Sequence, residues 1–201
     1  PLKQFLPYFA LSNVCWIFIS TVIAESATVI TAAEGIIRQI KIPVATLFFR
    51  MIWKNIIILA HLLPIPIVIF LLFPDAFRGG ILGVVFSLVG LILLSTFLYF
   101  VASLVGILCT RFRDVAQLIG SALQMIFLAT PILWQKNLLQ GREILYEVNI
   151  FCHLIEVVRA PILEGVWPFQ SILIILSVIL ILALFLSFME ERYRKSIVYW
   201  I

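Results

Sequence analysis

The chain has 201 residues, of which 64% are hydrophobic and 12% charged, with a formal net charge of +4. Soluble domains carry about a quarter charged residues, and one core of this length cannot hide so much apolar surface, so a soluble single domain is excluded. The apolar residues come in runs of about 20, enough to cross a ~30 Å hydrocarbon layer as a helix, and the basic excess reads as the loop bias of membrane proteins, not a nucleic-acid footprint.

Five spans follow in chain order. The first covers residues 6–30 and holds Glu25 near its cytoplasmic end, the one acid well inside an apolar run. A carboxylate there is a functional candidate because burying it is costly; the plainer reading is that it reaches the interface or pairs with a basic residue. In residues 31–54, Ile36, Ile37 and Ile40 recur at helical spacing with Arg38 and Lys41 between them, and Pro43 interrupts. This predicts a short amphipathic helix at the cytoplasmic surface, then a break; the alternative is an ordinary basic juxtamembrane loop. The second span, 52–73, is kinked by Pro64 and Pro66. The third, 80–109, exceeds what a crossing needs, so it tilts or extends beyond the bilayer.

The fourth span, 115–133, is broken at its end by Pro131, and the fifth covers 169–189. Ala102 with Gly106, and Ala116 with Gly120, are small residues four apart, a spacing that permits close helix approach. Between the last two spans, residues 135–167 hold apolar patches too short to cross, cut by Glu143, Glu147, Glu156 and Arg159. Short helices that enter and leave the outer leaflet fit this composition, ended by Pro131 and Pro161, provided that protein or a wet cavity satisfies their backbone. Glu156 and Arg159 are spaced to pair on one helix face. The alternative is a plain loop on the outer surface.

Basic residues set the orientation. Arg38, Lys41, Arg50, Lys54, Arg111, Arg113, Arg192, Arg194 and Lys195 fall in one set of connections; Lys3, Arg78, Lys136, Arg142 and Arg159 fall in the other. The richer set belongs in the cytoplasm, which places the C-terminus there and residue 1 outside. Cys15, Cys109 and Cys152 imply no disulfide framework, and His61 and His153 lack ligand-spaced companions, so no metal is assigned. No phosphate-binding GxxxxGK[ST] loop and no hydrolytic residue set occurs. A polytopic chain without such chemistry is read as a conduit, not an enzyme.

The run Arg111-Phe112-Arg113-Asp114-Val115, then Gln117 and Thr130-Pro131-Ile132, resembles ABC exporter permeases of the polysaccharide and polyol-phosphate class. His153-Leu154-Ile155-Glu156 with Arg159-Ala160-Pro161 is similar to the segment before their last span, and Arg192-Tyr193-Arg194-Lys195 through Tyr199-Trp200-Ile201 to their basic-aromatic tail. Trp16-Ile17-Phe18 and Ile42-Pro43 match the earlier half, so the resemblance runs through the whole chain. It departs at Asn149-Ile150, where proline usually follows, and in lacking the family's N-terminal amphipathic helix and first span.

The resemblance implies an all-α polytopic permease, residues 1–201 forming one transmembrane domain with five of the family's six spans. It implies a cytoplasmic coupling helix and outer re-entrant helices in the bacterial inner membrane. The partners implied are a second copy of the permease and two copies of an ATPase, which holds the ATP and Mg2+; this chain binds no cofactor. The implied cargo is a lipid-linked glycan such as O-antigen, with capsule or teichoic acid as relatives. Ile36, Ile37, Arg38, Ile40 and Lys41, with Arg111, Arg113 and Asp114, are the expected ATPase-coupling residues, and Glu156 and Arg159 the outer gate. Aromatic side chains offer a glycan an apolar face with a polar tip, which makes Tyr8, Trp16, Tyr99 and Trp134 candidates for the path; such residues also gather at membrane interfaces whatever the cargo. The alternatives are the same fold carrying a drug or small lipid-like molecule, and a polytopic enzyme of envelope synthesis.

Overall fold

A computed structural model describes residues 2–40, 42–132 and 147–193. Helices α1 (Leu2–Ser26), α2 (Val29–Ala32), α3 (Glu34–Gln39), α4 (Val44–Leu62) and α5 (Pro64–Leu72) are followed by a 3-10 turn at Pro74–Ala76. Then come α6 (Gly80–Arg111), α7 (Arg113–Ala129), α8 (Ile150–Leu163) and α9 (Phe169–Tyr193). There is no strand among the described residues. Among the described residues, four helical stretches are long and apolar enough to cross a membrane: Gln4–Ser26, Val44–Leu72, Gly80–Arg111 and Phe169–Met189.

These bounds refine the expectations. The second span begins at Val44, not at residue 52, because Pro43 is extended (φ −60°, ψ 131°) and the helix restarts directly after it, taking in Arg50 and Lys54. Pro64 divides that span into α4 and α5 at Leu63, since its nitrogen has no hydrogen to give the preceding turn. The 32 residues of α6 amount to ~48 Å of helix, well beyond a hydrocarbon core of about 30 Å. Helix α7 has 17 residues and ends at Ala129, ~25 Å at 1.5 Å per residue, so the fourth expected span is not among the four.

Helix α1 is the centre of the bundle, touching α4, α5, α6, α7 and α8. Val14, Phe18, Ile19 and Val22 bury one stretch of it against Leu94, Leu98 and Ala102 of α6 and Leu154 of α8. The outward faces are apolar instead of polar: Leu71, Ile81, Leu82, Ile92, Leu180 and Leu184 are all well exposed. Surfaces of that kind suit hydrocarbon, not water.

Lipid gives helices no hydrophobic reason to associate, so close packing of small residues matters more. Gly106 fits this: a Cβ there would meet the Phe48 ring at 2.4 Å and Ser26 O at 3.0 Å, so α1, α4 and α6 converge on it. Gly120 does not: among the described residues nothing comes within 4 Å of a Cβ added there. The tightest seam was not expected from sequence. Helix α8 lies on Gly79, Gly83 and Gly90, where added Cβ atoms would come within 1.9, 2.3 and 2.5 Å of the carbonyl oxygens of Pro161, Pro161 and Val157. Pro161 lies inside α8 and does not end it. Its missing N–H leaves the Val157 carbonyl without a helical partner, and that carbonyl rests against Gly90 instead.

Candidate functional site

At the end of the bundle reached by the C-terminus of α1, Ile36, Ile37 and Arg38 lie on α3, but Ile40 lies beyond it in extended backbone (φ −130°, ψ 135°). Ile42, directly before Pro43, is non-helical as well, because a residue before proline is pushed out of the α region. Ile37 packs on the core, whereas Ile36 and Ile40 are 43% and 59% exposed. Arg38 pairs with Glu34 at 2.7 Å on the exposed side. Lys41 lies outside the described residues. Arg111 ends α6, Phe112 is the single non-helical residue (φ −120°, ψ 88°), and Arg113 and Asp114 open α7. The Arg111 guanidinium lies 5.4 Å from the Phe112 ring. Contact of α2 with α6 sets the two segments on the same end of the bundle.

Glu25 is paired there with Lys54 and accepts from Asn55 Nδ2 at 2.8 Å, in line with the plainer reading of that acid. Asn55 is fully buried and its Nδ2 also reaches Met51 O. Glu25, Thr28, Ala32, Ile36, Arg50 and Lys54 line a cleft of about 260 Å³ beneath α2 and α3.

A polar cluster gathers near the N-terminal half of α1. Arg159 of α8 is 4% exposed, with one guanidinium nitrogen donating to Ser12 Oγ at 2.9 Å and the charge 4.0 Å from the centre of the Tyr8 ring. Its Nε has no hydrogen-bond partner. Tyr8 OH donates to Pro131 O at 2.8 Å, fastening α1 to the end of α7. Glu156 does not pair with Arg159: its Oε2 accepts from Ser171 Oγ of α9 at 2.8 Å. The two point to different neighbours because one helical turn of α8 faces both α1 and α9. His153 sits between, Nδ1 2.9 Å from Ser171 Oγ and Nε2 3.0 Å from Glu147 O.

Helix α8 is too short to span and is buried nearly all round, packed on α1, α6 and α9. Over Ile150–Leu163 the segment is therefore a buried helix and not a loop. Asn149 starts it, its side chain accepting from Phe151 N at 3.0 Å, which caps the first turn. The expected first outer helix, around residues 135–146, lies outside the described residues, as does the tail 194–201.

Of the four candidate path aromatics, Tyr8 and Trp16 share this region. Trp16 is buried against Phe127 of α7 and Phe151 of α8, at 5.6 and 5.9 Å between ring centres. Tyr99 belongs elsewhere, on Phe49 of α4 and Phe100, and Trp134 lies outside the described residues. Ser12 and Ser171 were not singled out by sequence, and His153 was noted without a role in this cluster; the available signal was His153, Glu156 and Arg159 three apart along one stripe. Sequence placed an apolar run over α7 but did not single out its polar stripe, where Gln117, Ser121 and Gln124 are exposed while only Leu123 of the helix is buried. Among the described residues no group of three or more His, Cys, Asp or Glu side chains is placed to hold a metal. No protein-family model and no curated protein matches this chain.

Proposed function

We propose that the chain is the membrane subunit of an ATP-driven exporter of a lipid-linked glycan in a bacterial inner membrane, working as a pair of copies with two ATPase subunits. The observation that carries this reading is the exposed stripe of Gln117, Ser121 and Gln124 on α7, with Gly120 beside it and no described residue packed against that glycine. Amides and hydroxyls facing hydrocarbon are costly, so this face belongs to a wet path or to a second copy of the chain. A path between two copies uses the stripe for both, and amide side chains suit sugar hydroxyls as donors and acceptors.

In this reading α7 belongs to the fourth of five spans, and α8 is the outgoing half of an outer re-entrant pair that closes the path at rest. Ile36 and Ile40 on their exposed turn, with Arg111, Arg113 and Asp114, form the ATPase seat, and the C-terminus is cytoplasmic. ATP and Mg2+ stay on the partner.

In cells that display a lipid-linked surface glycan, loss of the chain should trap the glycan on its carrier at the inner leaflet. A Gln117→Leu/Gln124→Leu variant that inserts normally should restore display at roughly a tenth of the wild-type rate, the effect of ~1.4 kcal/mol of lost polar contact. Normal display without the chain overturns the reading. Build-up of a small lipid instead of a glycan carrier points to the alternative cargo.

A further inference from the structure

The charges in the cleft beneath α2 and α3 do not cancel. Its charged lining consists of Glu25, Arg50 and Lys54. Glu25 is taken up by two donors, the Lys54 ammonium and Asn55 Nδ2 at 2.8 Å. Arg50 is exposed one helical turn before Lys54 on α4, and its side chain has no ion pair or hydrogen bond among the described residues. Glu34 of α3 is paired with Arg38. Two cations against one carboxylate leave the cleft wall with one positive charge, carried by a guanidinium with five N–H donors. The Lys54 ammonium has donors beyond the one that Glu25 takes.

The same face of α4 turns apolar below the cleft. Trp53 and Ile57 are 66% and 46% exposed, and residues three and four apart share a helix face. Arg50, Trp53, Lys54 and Ile57 therefore make one continuous strip. Because Val44–Leu72 is long and apolar enough to cross a membrane, that strip runs from the end of the bundle into hydrocarbon. Tryptophan side chains favour the headgroup level, and Arg50 and Lys54 lie within one turn of Trp53.

We propose that this cleft binds an anionic phospholipid, its phosphodiester between Arg50 and Lys54 and an acyl chain along Trp53 and Ile57. Basic pockets between membrane helices suit lipid headgroups. A phosphodiester carries one negative charge, which matches the one left over in the cleft, and a guanidinium meets phosphate oxygens with paired N–H donors. A zwitterionic lipid would bring a second cation to a wall that is already positive, so the cleft selects lipids of net negative charge. A free phosphate ester would satisfy Arg50 but leave Trp53 and Ile57 unused. A protein segment entering past Ile36 would meet the cations but not the strip that faces hydrocarbon. The site requires only that α4 crosses a membrane, so it stands apart from the transport reading.

The full chain, purified in detergent, is titrated with phosphatidylglycerol or with phosphatidylcholine of the same acyl chains, and bound lipid is counted by native mass spectrometry. One phosphatidylglycerol per chain should be held about tenfold more tightly than phosphatidylcholine, as for one charge-assisted hydrogen bond. Arg50→Gln should remove that preference and melt like the wild type, since Arg50 has no partner in the chain to lose. Arg78→Gln takes the same charge from an exposed residue beyond the far end of that span and should keep the preference. Glycerophosphoglycerol, the headgroup without chains, should not displace the lipid at equal concentration. Displacement by it would make the occupant a free phosphate ester and overturn the proposal. Equal retention of the two lipids overturns it too. A preference that survives Arg50→Gln leaves the cleft to a protein partner, and one lost equally in Arg78→Gln is a diffuse charge effect; either result overturns the site. The wild-type preference and the headgroup competition decide the matter even if Arg50→Gln fails to fold.

Discussion

Helix α3 has six residues and α8 fourteen, both too short to cross a membrane, and the protein treats them oppositely. Helix α8 is taken into the bundle: its apolar side chains are buried, its proline-freed carbonyl rests on a glycine, and its ionisable side chains meet partners on α1 and α9. Helix α3 stays outside, buries no residue fully, and leaves Ile36 and the adjoining Ile40 exposed. A buried helix must have its polar groups met from within, whereas one at the water boundary can leave them to solvent or to another protein. Changes in α8 should therefore be felt by the fold, and changes in α3 by whatever binds it.

The largest effect is expected at the α6–α8 seam. Gly83→Ala sets a Cβ 2.3 Å from a backbone oxygen, and backbone cannot swing aside as a side-chain tip can. Melting in detergent should report a loss of about 3 kcal/mol, the upper end for overpacking. Gly35→Ala in α3 meets nothing within 4 Å and should be neutral or gain ~0.5–1 kcal/mol from the better helix former. Equal tolerance at both sites would mean that α8 is not seated as described.

Next in size is Tyr8. Tyr8→Phe removes the bond to Pro131 O and should cost about 1 kcal/mol. Tyr8→Leu also strips the ring from beneath the Arg159 charge and should cost ~2 kcal/mol more, as for a desolvated cation–π contact. If both variants melt alike, the ring does not hold the guanidinium.

How far the sequence reached follows the same division. Hydropathy is local, so the runs behind α1, α5, α6 and α9 were legible, as were the breaks at Pro43 and Pro64. The start of α4 was not, because Arg50 and Lys54 read as loop charges until Glu25, nearly 30 residues earlier, is seen to meet Lys54. The depth of α8 was hidden too, since the notch that admits it is made by glycines some 70 residues earlier in the chain. Ser12 and Ser171 look like Ser95 and Ser103, whose hydroxyls bond the carbonyl four residues back. Only tertiary structure shows that Ser12 Oγ accepts from Arg159, and that Ser171 Oγ donates to Glu156 and lies 2.9 Å from His153 Nδ1.

A smaller effect is expected at the boundary between the two regimes. Glu25→Gln removes the charge facing Lys54, whose side chain is 53% exposed, and keeps an acceptor for Asn55. A half-exposed pair contributes little after solvent screening, so the loss should stay within ~1 kcal/mol and shrink further in high salt. A loss as large as that of Tyr8→Leu would move Glu25 into the buried regime.

The smallest effect on the fold, and the sharpest test of the contrast, is Arg38→Glu. Glu34 and Arg38 are one turn apart and both face water, so reversing the charge replaces an attraction by a repulsion worth about 0.2–0.5 kcal/mol. Insertion and melting should hardly change. If the exposed turn of Ile36 and Ile40 is a seat for an ATPase, however, the same reversal lies beside the apolar contact and should weaken association. A mismatched charge at an interface rim acts mainly on the association rate and its salt dependence, so co-purification of the ATPase and its stimulated hydrolysis should fall several-fold while the membrane protein stays intact. Ile36→Ser, which leaves the charges alone, should lower the same association by removing apolar contact. Unchanged association in both variants would make α3 a solvated helix with no partner, and the difference between it and α8 would then be one of burial alone.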